Sequence, residues 1–218
     1  MSRSFTLASY PTSTWSETHR DVPLHADADK RVLDVILTLA CFVLALPFVL
    51  IVPLLIKLTS PGPVLYRQVR IGQHGQRFTM LKFRSMRVDA EPEGRARWTR
   101  EQDPRITAVG RILRRYHIDE LPQLLNVLAG DMSFVGPRPE RPEFVELLEK
   151  ELPGYAVRHK VKPGITGWAQ VRYRYAASIE ETAEKLAHDL HYLRHQSLVF
   201  DCRIVWLTIG AVLTTGGR

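Results

Sequence analysis

VILTLACFVLALPFVLIVPLLI, from Val35 to Ile56, holds no charged residue and is long enough to reach across the hydrocarbon core of a bilayer, which takes about 20 apolar residues in a helix. Basic residues stand at both ends, Lys30 and Arg31 before it and Lys57 after it. A simple span carries its excess of Lys and Arg on one side, so two flanks that both read as cytoplasmic argue against a straight crossing. Pro47 lies near the middle and Pro53 follows. Proline inside a helix removes a backbone hydrogen bond and bends it. A helix that enters one leaflet, turns at Leu46-Pro47 and leaves by the same face reconciles the flanks, so a re-entrant membrane hairpin is expected over residues 30–58. A straight single span is the rival, and it would put the rest of the chain across the membrane. A secretory signal fits poorly, because the segment starts well inside the chain and no small-residue cleavage site precedes Lys57.

Composition sets the frame around this segment. A chain of 218 residues with 45% hydrophobic content suffices for one good-sized domain. Thirty Lys and Arg against 23 Asp and Glu leave a net charge of +7, which suits nucleic acid, an anionic membrane face or a phosphorylated substrate. Cys41 and Cys202 sit in apolar runs with no metal-binding or disulfide spacing, which fits a reducing compartment. Residues 1–29 mix Ser, Thr, Pro and His with few large apolar residues and read as a disordered tail. Residues 59–218 read as a membrane-associated domain on the cytoplasmic side.

Within that domain SPGPVLYRQVRIG, Ser60 to Gly72, and FTMLKFRSM, Phe78 to Met86, read as a strand pair across a Gly-rich turn. Lys82 and Arg84 alternate with Phe83, so both cations can point to one side. Helical spacing returns from Ile112 to Leu128, qualified by Pro122, and Gly130 is a natural stop. On this pattern Asp119 stands near an N-cap and Glu120 and Leu121 open a helix. PEFVELLEKEL, Pro142 to Leu152, is amphipathic. Residues 179–195 form a charged, His-rich helix, and Leu198 to Leu213 an interfacial or core helix. The expected fold class is α+β, rich in helix, with short strands.

The chemistry concentrates in RILRRYHIDELPQLLNVLAGDMSFVGPRPERP, Arg111 to Pro142. Adjacent acids, Asp119 and Glu120, lie between an arginine cluster and an arginine- and proline-rich turn. One acid can attack or accept a proton while the other holds a metal ion, and arginines take phosphate oxygens through bidentate hydrogen bonds. Taken alone, the pair reads as a helix cap; its neighbours decide.

KRVLDVILTLACFVLALPFVLIVPLLIKLTSPGPVLYRQVRIG, FTMLKFRSM, LRRYHIDELPQLLNVLAGDMSFVGPRPERPEF and VKPGITGWAQVRYR, in this order, resemble the bacterial sugar transferase family, the monotopic phosphoglycosyl transferases. The resemblance covers about Lys30 to Arg218. It implies transfer of a sugar 1-phosphate, from a hexose donor such as UDP-glucose or UDP-galactose, to undecaprenyl phosphate with release of UMP, the first membrane step of exopolysaccharide or other surface glycan synthesis. It also implies the bacterial inner membrane as location, Mg²⁺ as cofactor, Asp119 as nucleophile through an aspartyl-phosphosugar intermediate, and Glu120 as metal ligand. Arg114, Arg138 and Lys82 match basic residues of the family's phosphate site, and Arg84 is grouped with them. Arg174 takes the arginine position of a motif usually written VNGR. Here it reads VRYR, so Arg172 and Tyr173 depart from the pattern. Pro47 matches the proline that breaks the hairpin, with Leu46 where many members have Ser.

Rival readings account for less of the chain. Tyr173, Tyr175, Arg172 and Arg174 could stack nucleic acid, but a segment able to enter a bilayer speaks against that partner. No GxxxxGK[ST] is present for a P-loop kinase. A non-catalytic membrane scaffold would be expected to have lost acids or arginines that are all in place. A homodimer is compatible with everything read so far.

Overall fold

The computed structural model describes residues 27–91, 103–173 and 179–215. The tail expected over residues 1–29 lies outside them up to residue 26, and its last three residues already belong to the first helix. That helix, α1, runs from Asp27 to Thr59 as one helical element through Pro47 and Pro53, and the turn expected at Leu46-Pro47 is not shown. It is the one helix among the described residues long and apolar enough to cross a membrane. A change of partners ends it. The Thr59 hydroxyl turns back to Leu55 O, the Ser60 amide to Ile56 O, and Pro61 cannot continue the ladder.

Both ends of α1 engage the body of the protein. At the start, Lys30 Nζ reaches Asp201 at 2.7 Å and Val135 O at 3.1 Å, Arg31 donates to Val127 O and Leu128 O, and Asp34 accepts from the Ser133 hydroxyl and the Phe134 amide. Towards the end, Val52 and Ile56 are buried with Phe83 and Leu113. Between these anchors Val43, Leu44, Leu46, Phe48, Leu50 and Ile51 stay exposed. Successive helical residues are about 100° apart, so these six cover roughly 200° of the circumference, and in the remaining arc Ala45 and Val52 are buried. The middle of α1 thus presents a broad exposed apolar face, opposite a buried stripe through Asp34, Thr38, Ala45, Val52 and Ile56.

The strand pair expected after Ser60 forms as an antiparallel hairpin of β1 (Leu65–Ile71) and β2 (Arg77–Phe83). Tyr66 faces Lys82 across it, and His74 and Gly75 take positive φ in the turn. The long helical pattern from Ile112 to Leu128 is divided into α2 (Ala108–Arg115), a 3₁₀ turn (Ile118–Glu120) and α3 (Gln123–Ala129). The acid pair therefore precedes α3 instead of opening it; Pro122, which has no N–H to donate, occupies the cap.

Two short strands, β3 (Ser133–Val135) and β4 (Gly164–Thr166), pair in parallel. Gly164 is required because the Gly136 backbone lies where its Cβ would be. Around this pair α4 (Pro142–Glu151), a 3₁₀ turn (Tyr155–Lys160), α5 (Trp168–Arg172), α6 (Ile179–His195) and α7 (Leu198–Thr215) close the main core, which includes Val135, Leu148, Tyr155, Leu186, Leu193 and Ile204. α7 buries Asp201 and Ile204 on one face and exposes the apolar Val199 and Trp206 on the other. The fold is thus α+β and rich in helix, as expected.

α2 sets the approach to the acid pair. Thr107 caps it by accepting from the Gly110 amide, and Gly110 lies directly against the Ser85 carbonyl at the end of β2, leaving no room for a Cβ. Gly110→Ala is expected to destabilise the fold by about 1–3 kcal/mol through this overpacking, read as a lower melting midpoint of the detergent-purified chain. An unchanged midpoint would show that α2 does not need this close approach.

Candidate active site

His117 follows α2 in the left-handed region, at φ 55°, and the chain then folds into the 3₁₀ turn that carries Asp119 and Glu120. Bonds from the Glu120 amide to His117 O and from the Leu121 amide to Ile118 O hold the turn, while Ile118 and Leu121 pack on the cluster of Val52, Ile56, Phe83 and Leu113. The backbone bearing the acids is thereby attached both to β2 and to the end of α1. Asp119 and Glu120 are 6% and 9% exposed, so their charges must find partners or shift their titration.

Glu120 finds partners. Lys82, on β2, donates to Oε1 at 2.9 Å; Arg138, in the loop after β3, donates Nη2 to Oε1 and Nη1 to Oε2 at 3.2 Å. Burial alone would raise the Glu120 pKa, but the two cations overcome it and hold the carboxyl well below the ordinary glutamate range. Burial also lowers the pKa of Lys82, against the pull of Glu120.

Asp119 has the opposite environment. No hydrogen bond reaches its carboxylate from a described residue. Burial first, and the Glu120 charge second, raise its pKa above the ordinary aspartate value, only partly offset by Lys82 and Arg114. Arg114 is half-buried on α2 and has no hydrogen bond or ion pair among the described residues, so its guanidinium is open to an incoming anion. One acid is neutralised and fixed, whereas its neighbour is desolvated and unengaged. Such a carboxylate is more basic, hence more nucleophilic when ionised, and it faces cations able to receive phosphate oxygens.

Of the residues singled out in the sequence, the structure brings Asp119, Glu120, Lys82, Arg114 and Arg138 together. Arg84 is placed elsewhere. β2 ends at Phe83, and the Arg84 guanidinium turns to Ser60, donating to its carbonyl at 2.8 Å and its hydroxyl at 2.7 Å, where it closes the end of α1. A cation is drawn there by carbonyls that a helix end leaves unpaired. Arg174 lies outside the described residues. Trp168 stacks on His191, with Arg172 above it at 4.3 Å, and His191 stacks on His195, so the histidine face of α6 is partly built into an aromatic column. Sequence reasoning missed Arg70 and Arg158, which hold the loop carrying Arg138. Alternation on β1, which puts Arg70 on the same face of the hairpin as Lys82, was a usable signal for Arg70; none marked Arg158.

No group of three or more His, Cys, Asp or Glu able to hold a metal ion occurs among the described residues. The acid pair nevertheless fits Mg²⁺, which binds through one or two carboxylates together with substrate phosphates and water. Glu120 accepts three hydrogen bonds and so keeps one of its four lone-pair directions, on Oε2, and the Asp119 oxygens are unengaged by described residues.

Comparison with known proteins places these residues in context. The family described as bacterial sugar transferase matches residues 25–215. The chain is 45% identical over 188 residues to the UDP-N-acetylgalactosamine-undecaprenyl-phosphate N-acetylgalactosaminephosphotransferase of Aeromonas hydrophila, covering 86% of this chain and 44% of that protein. It is 44% identical over 182 residues to the UDP-glucose:undecaprenyl-phosphate glucose-1-phosphate transferase of Escherichia coli K12, covering 83% of this chain and 39% of that protein. With the exopolysaccharide production protein PSS of Rhizobium leguminosarum it shares 43% over 192 residues, covering 86% of this chain and 96% of that protein. The chain thus spans less than half the length of the first two relatives and nearly all of the third. A match over almost the whole described fold, acid pair and arginine loop included, means that this chain belongs to the bacterial sugar transferase family.

Proposed function

We propose that the protein is a phosphoglycosyl transferase that moves a hexose 1-phosphate from a UDP-sugar to undecaprenyl phosphate and releases UMP. The observation that carries this is the division of the acid pair: a buried, unengaged Asp119 beside a Glu120 clasped by Lys82 and Arg138, with Arg114 open alongside. The names of the Aeromonas and E. coli relatives support the donor and acceptor classes, and that of the Rhizobium relative supports a role in exopolysaccharide production.

In the first step an Asp119 oxygen attacks the β-phosphorus of the UDP-sugar. A bond from phosphorus to the carboxylate forms, the bond to the bridging oxygen breaks, and UMP leaves with that electron pair. Repulsion between a carboxylate and a diphosphate opposes this approach. Arg114, Lys82 and Arg138 reduce it and stabilise the charge that builds on the equatorial oxygens and on UMP. Mg²⁺ held by Glu120 and the diphosphate would supply further neutralisation of that charge. In the second step an oxygen of undecaprenyl phosphate attacks the same phosphorus and the Asp119 carboxylate is released, giving a diphosphate-linked lipid sugar. Splitting the reaction lets a soluble donor and a bilayer acceptor use one site in turn, with Asp119 fixed near the headgroup layer.

The membrane segment belongs to this reading as a re-entrant hairpin bent at Pro47, in the bacterial inner membrane with the catalytic domain on the cytoplasmic side. Support comes from the contacts of α1. Both of its ends are anchored to the same body, through Lys30 on Asp201 and through Val52 and Ile56 on Phe83 and Leu113, while a broad apolar face between them is exposed. A bend at Pro47 lets that face enter the lipid while both anchored ends stay on one side of the membrane.

Asp119→Asn is expected to abolish transfer, and radiolabelled UDP-sugar should leave phosphosugar on the wild type but not on the variant; near-normal UMP release by the variant would remove Asp119 from the nucleophile role. The two acids should also differ in sign for stability. Ionised Asp119 is a burden that grows as pH rises from the unfolded pKa to the raised folded one, so Asp119→Asn should raise the melting midpoint at pH 7. Ionised Glu120 contributes stability above its unfolded pKa and loses it as pH falls through the depressed folded value, so Glu120→Gln should cost about 3 kcal/mol. Shifts of the same sign would contradict the division of roles. For the hairpin, Ala28→Cys and Thr59→Cys, each placed in a chain whose Cys41 and Cys202 are replaced by Ser, should both resist an impermeant maleimide in spheroplasts until the membrane is opened. Labelling of one alone would establish a straight span.

A further inference from the structure

Four consecutive backbone carbonyls in the loop that carries Arg138 are each taken by a donor from elsewhere. The Gly164 amide donates to Pro137 O at 2.9 Å, Arg158 Nη2 to Arg138 O at 2.8 Å, Arg70 Nη1 to Pro139 O at 3.0 Å, and the Ile71 amide to Glu140 O at 3.0 Å. Pro137 and Pro139 have no N–H, so the loop is placed chiefly through its carbonyls. The prolines also restrict its φ angles, which makes a few well-aimed donors sufficient to fix the path.

Arg158 differs from the other donors. Its side chain is 4% exposed, and it makes a two-pronged contact with Asp189 on α6, Nε at 2.9 Å and Nη2 at 2.8 Å. Nη1 donates to the Tyr155 hydroxyl at 3.0 Å, and the guanidinium lies 5.1 Å from the Tyr155 ring. Asp189 is as deeply buried, at 5%. A buried guanidinium with this set of partners has one orientation, and its remaining reach ends on the carbonyl of Arg138. Nothing in this network touches the acid pair directly; Glu120 is reached through Arg138 alone.

We infer that Arg158, oriented by Asp189 and Tyr155, is a positioning residue for Arg138: it holds that residue's backbone so that the guanidinium meets Glu120 and an incoming phosphate in a single orientation. This role presupposes the transferase function proposed above. A lysine at 158 keeps the charge but cannot hold Asp189 and the Arg138 carbonyl with the same planar fork. A displacement of about 1 Å at a catalytic group costs on the order of 100-fold in rate.

The test is a double-mutant cycle on the full chain in membranes, reading UMP release from a panel of UDP-sugars with undecaprenyl phosphate. Arg158→Lys should lower transfer by about 10- to 100-fold. In an Arg138→Ala background the same change should lower it by less than about twofold, because a residue acting through Arg138 has nothing left to position. An equal loss in both backgrounds would show that Arg158 acts through the fold at large, and an unaltered rate for Arg158→Lys would remove the role outright. If the lysine variant does not accumulate, Tyr155→Phe, which deletes one hydrogen bond and no charge, is read in the same cycle and decides in the same way. Wild-type membranes that release no UMP would overturn the transferase reading and this inference with it, whereas active wild type with additive losses overturns this inference alone.

Discussion

The clasp of Lys82 and Arg138 on Glu120 is the interaction on which the rest of the site depends. Its three members come from β2, the 3₁₀ turn before α3 and the loop after β3, so the ion pair ties together segments that share no secondary structure. A buried carboxylate without these cations would be protonated or would unfold its surroundings. With them it is a fixed negative charge in a dry place, and every neighbouring group titrates against it.

That fixed charge explains why two adjacent acids separate in character. Glu120 takes the cations, and Asp119, one residue away in the same turn, is left with burial and with the repulsion of Glu120. Chain connectivity forces them close, and hydrogen bonding distinguishes them. The cost of holding Asp119 in this state falls on the surrounding framework: the Ser85–Gly110 contact, the cluster of Val52, Ile56, Phe83 and Leu113, and the carbonyl-bound loop under Arg138. Strain or desolvation at a reactive group persists only where such a framework determines its position.

The same cluster joins the site to the apolar helix. Val52 and Ile56 of α1 pack on Phe83, one residue beyond Lys82, and on Leu113, one residue before Arg114. Lys30, Arg31 and Asp34 attach the other end of α1 near β3, whose following loop carries Arg138. Both ends of the apolar segment are thus rigidly related to the cations of the site, which fits the proposed transfer to an acceptor in a bilayer.

Much of this was legible in the chain itself. Length and lack of charge identified α1, alternation and Gly-rich turns identified β1 and β2, and the spacing of acids and arginines pointed to phosphate chemistry, because these signals are local and depend on the side chains' own chemistry. Local patterns failed where a distant partner chose the outcome. Lys82 and Arg84 are equivalent in alternation, yet one meets Glu120 and the other the end of α1, since each cation goes to the nearest unpaired acceptor that the fold presents. Asp119 and Glu120 are likewise indistinguishable as neighbouring carboxylates until Arg138 arrives from the far side of β3. Arg158 and Asp189, 31 residues apart, carry no local signature at all. The sequence by itself determined which elements form and which chemistry they can carry; only the tertiary structure decided which of the two carboxylates is paired with cations and which is left without a hydrogen bond from the described residues, because electrostatic pairing in a buried site depends on distances between segments that the chain brings together only by folding.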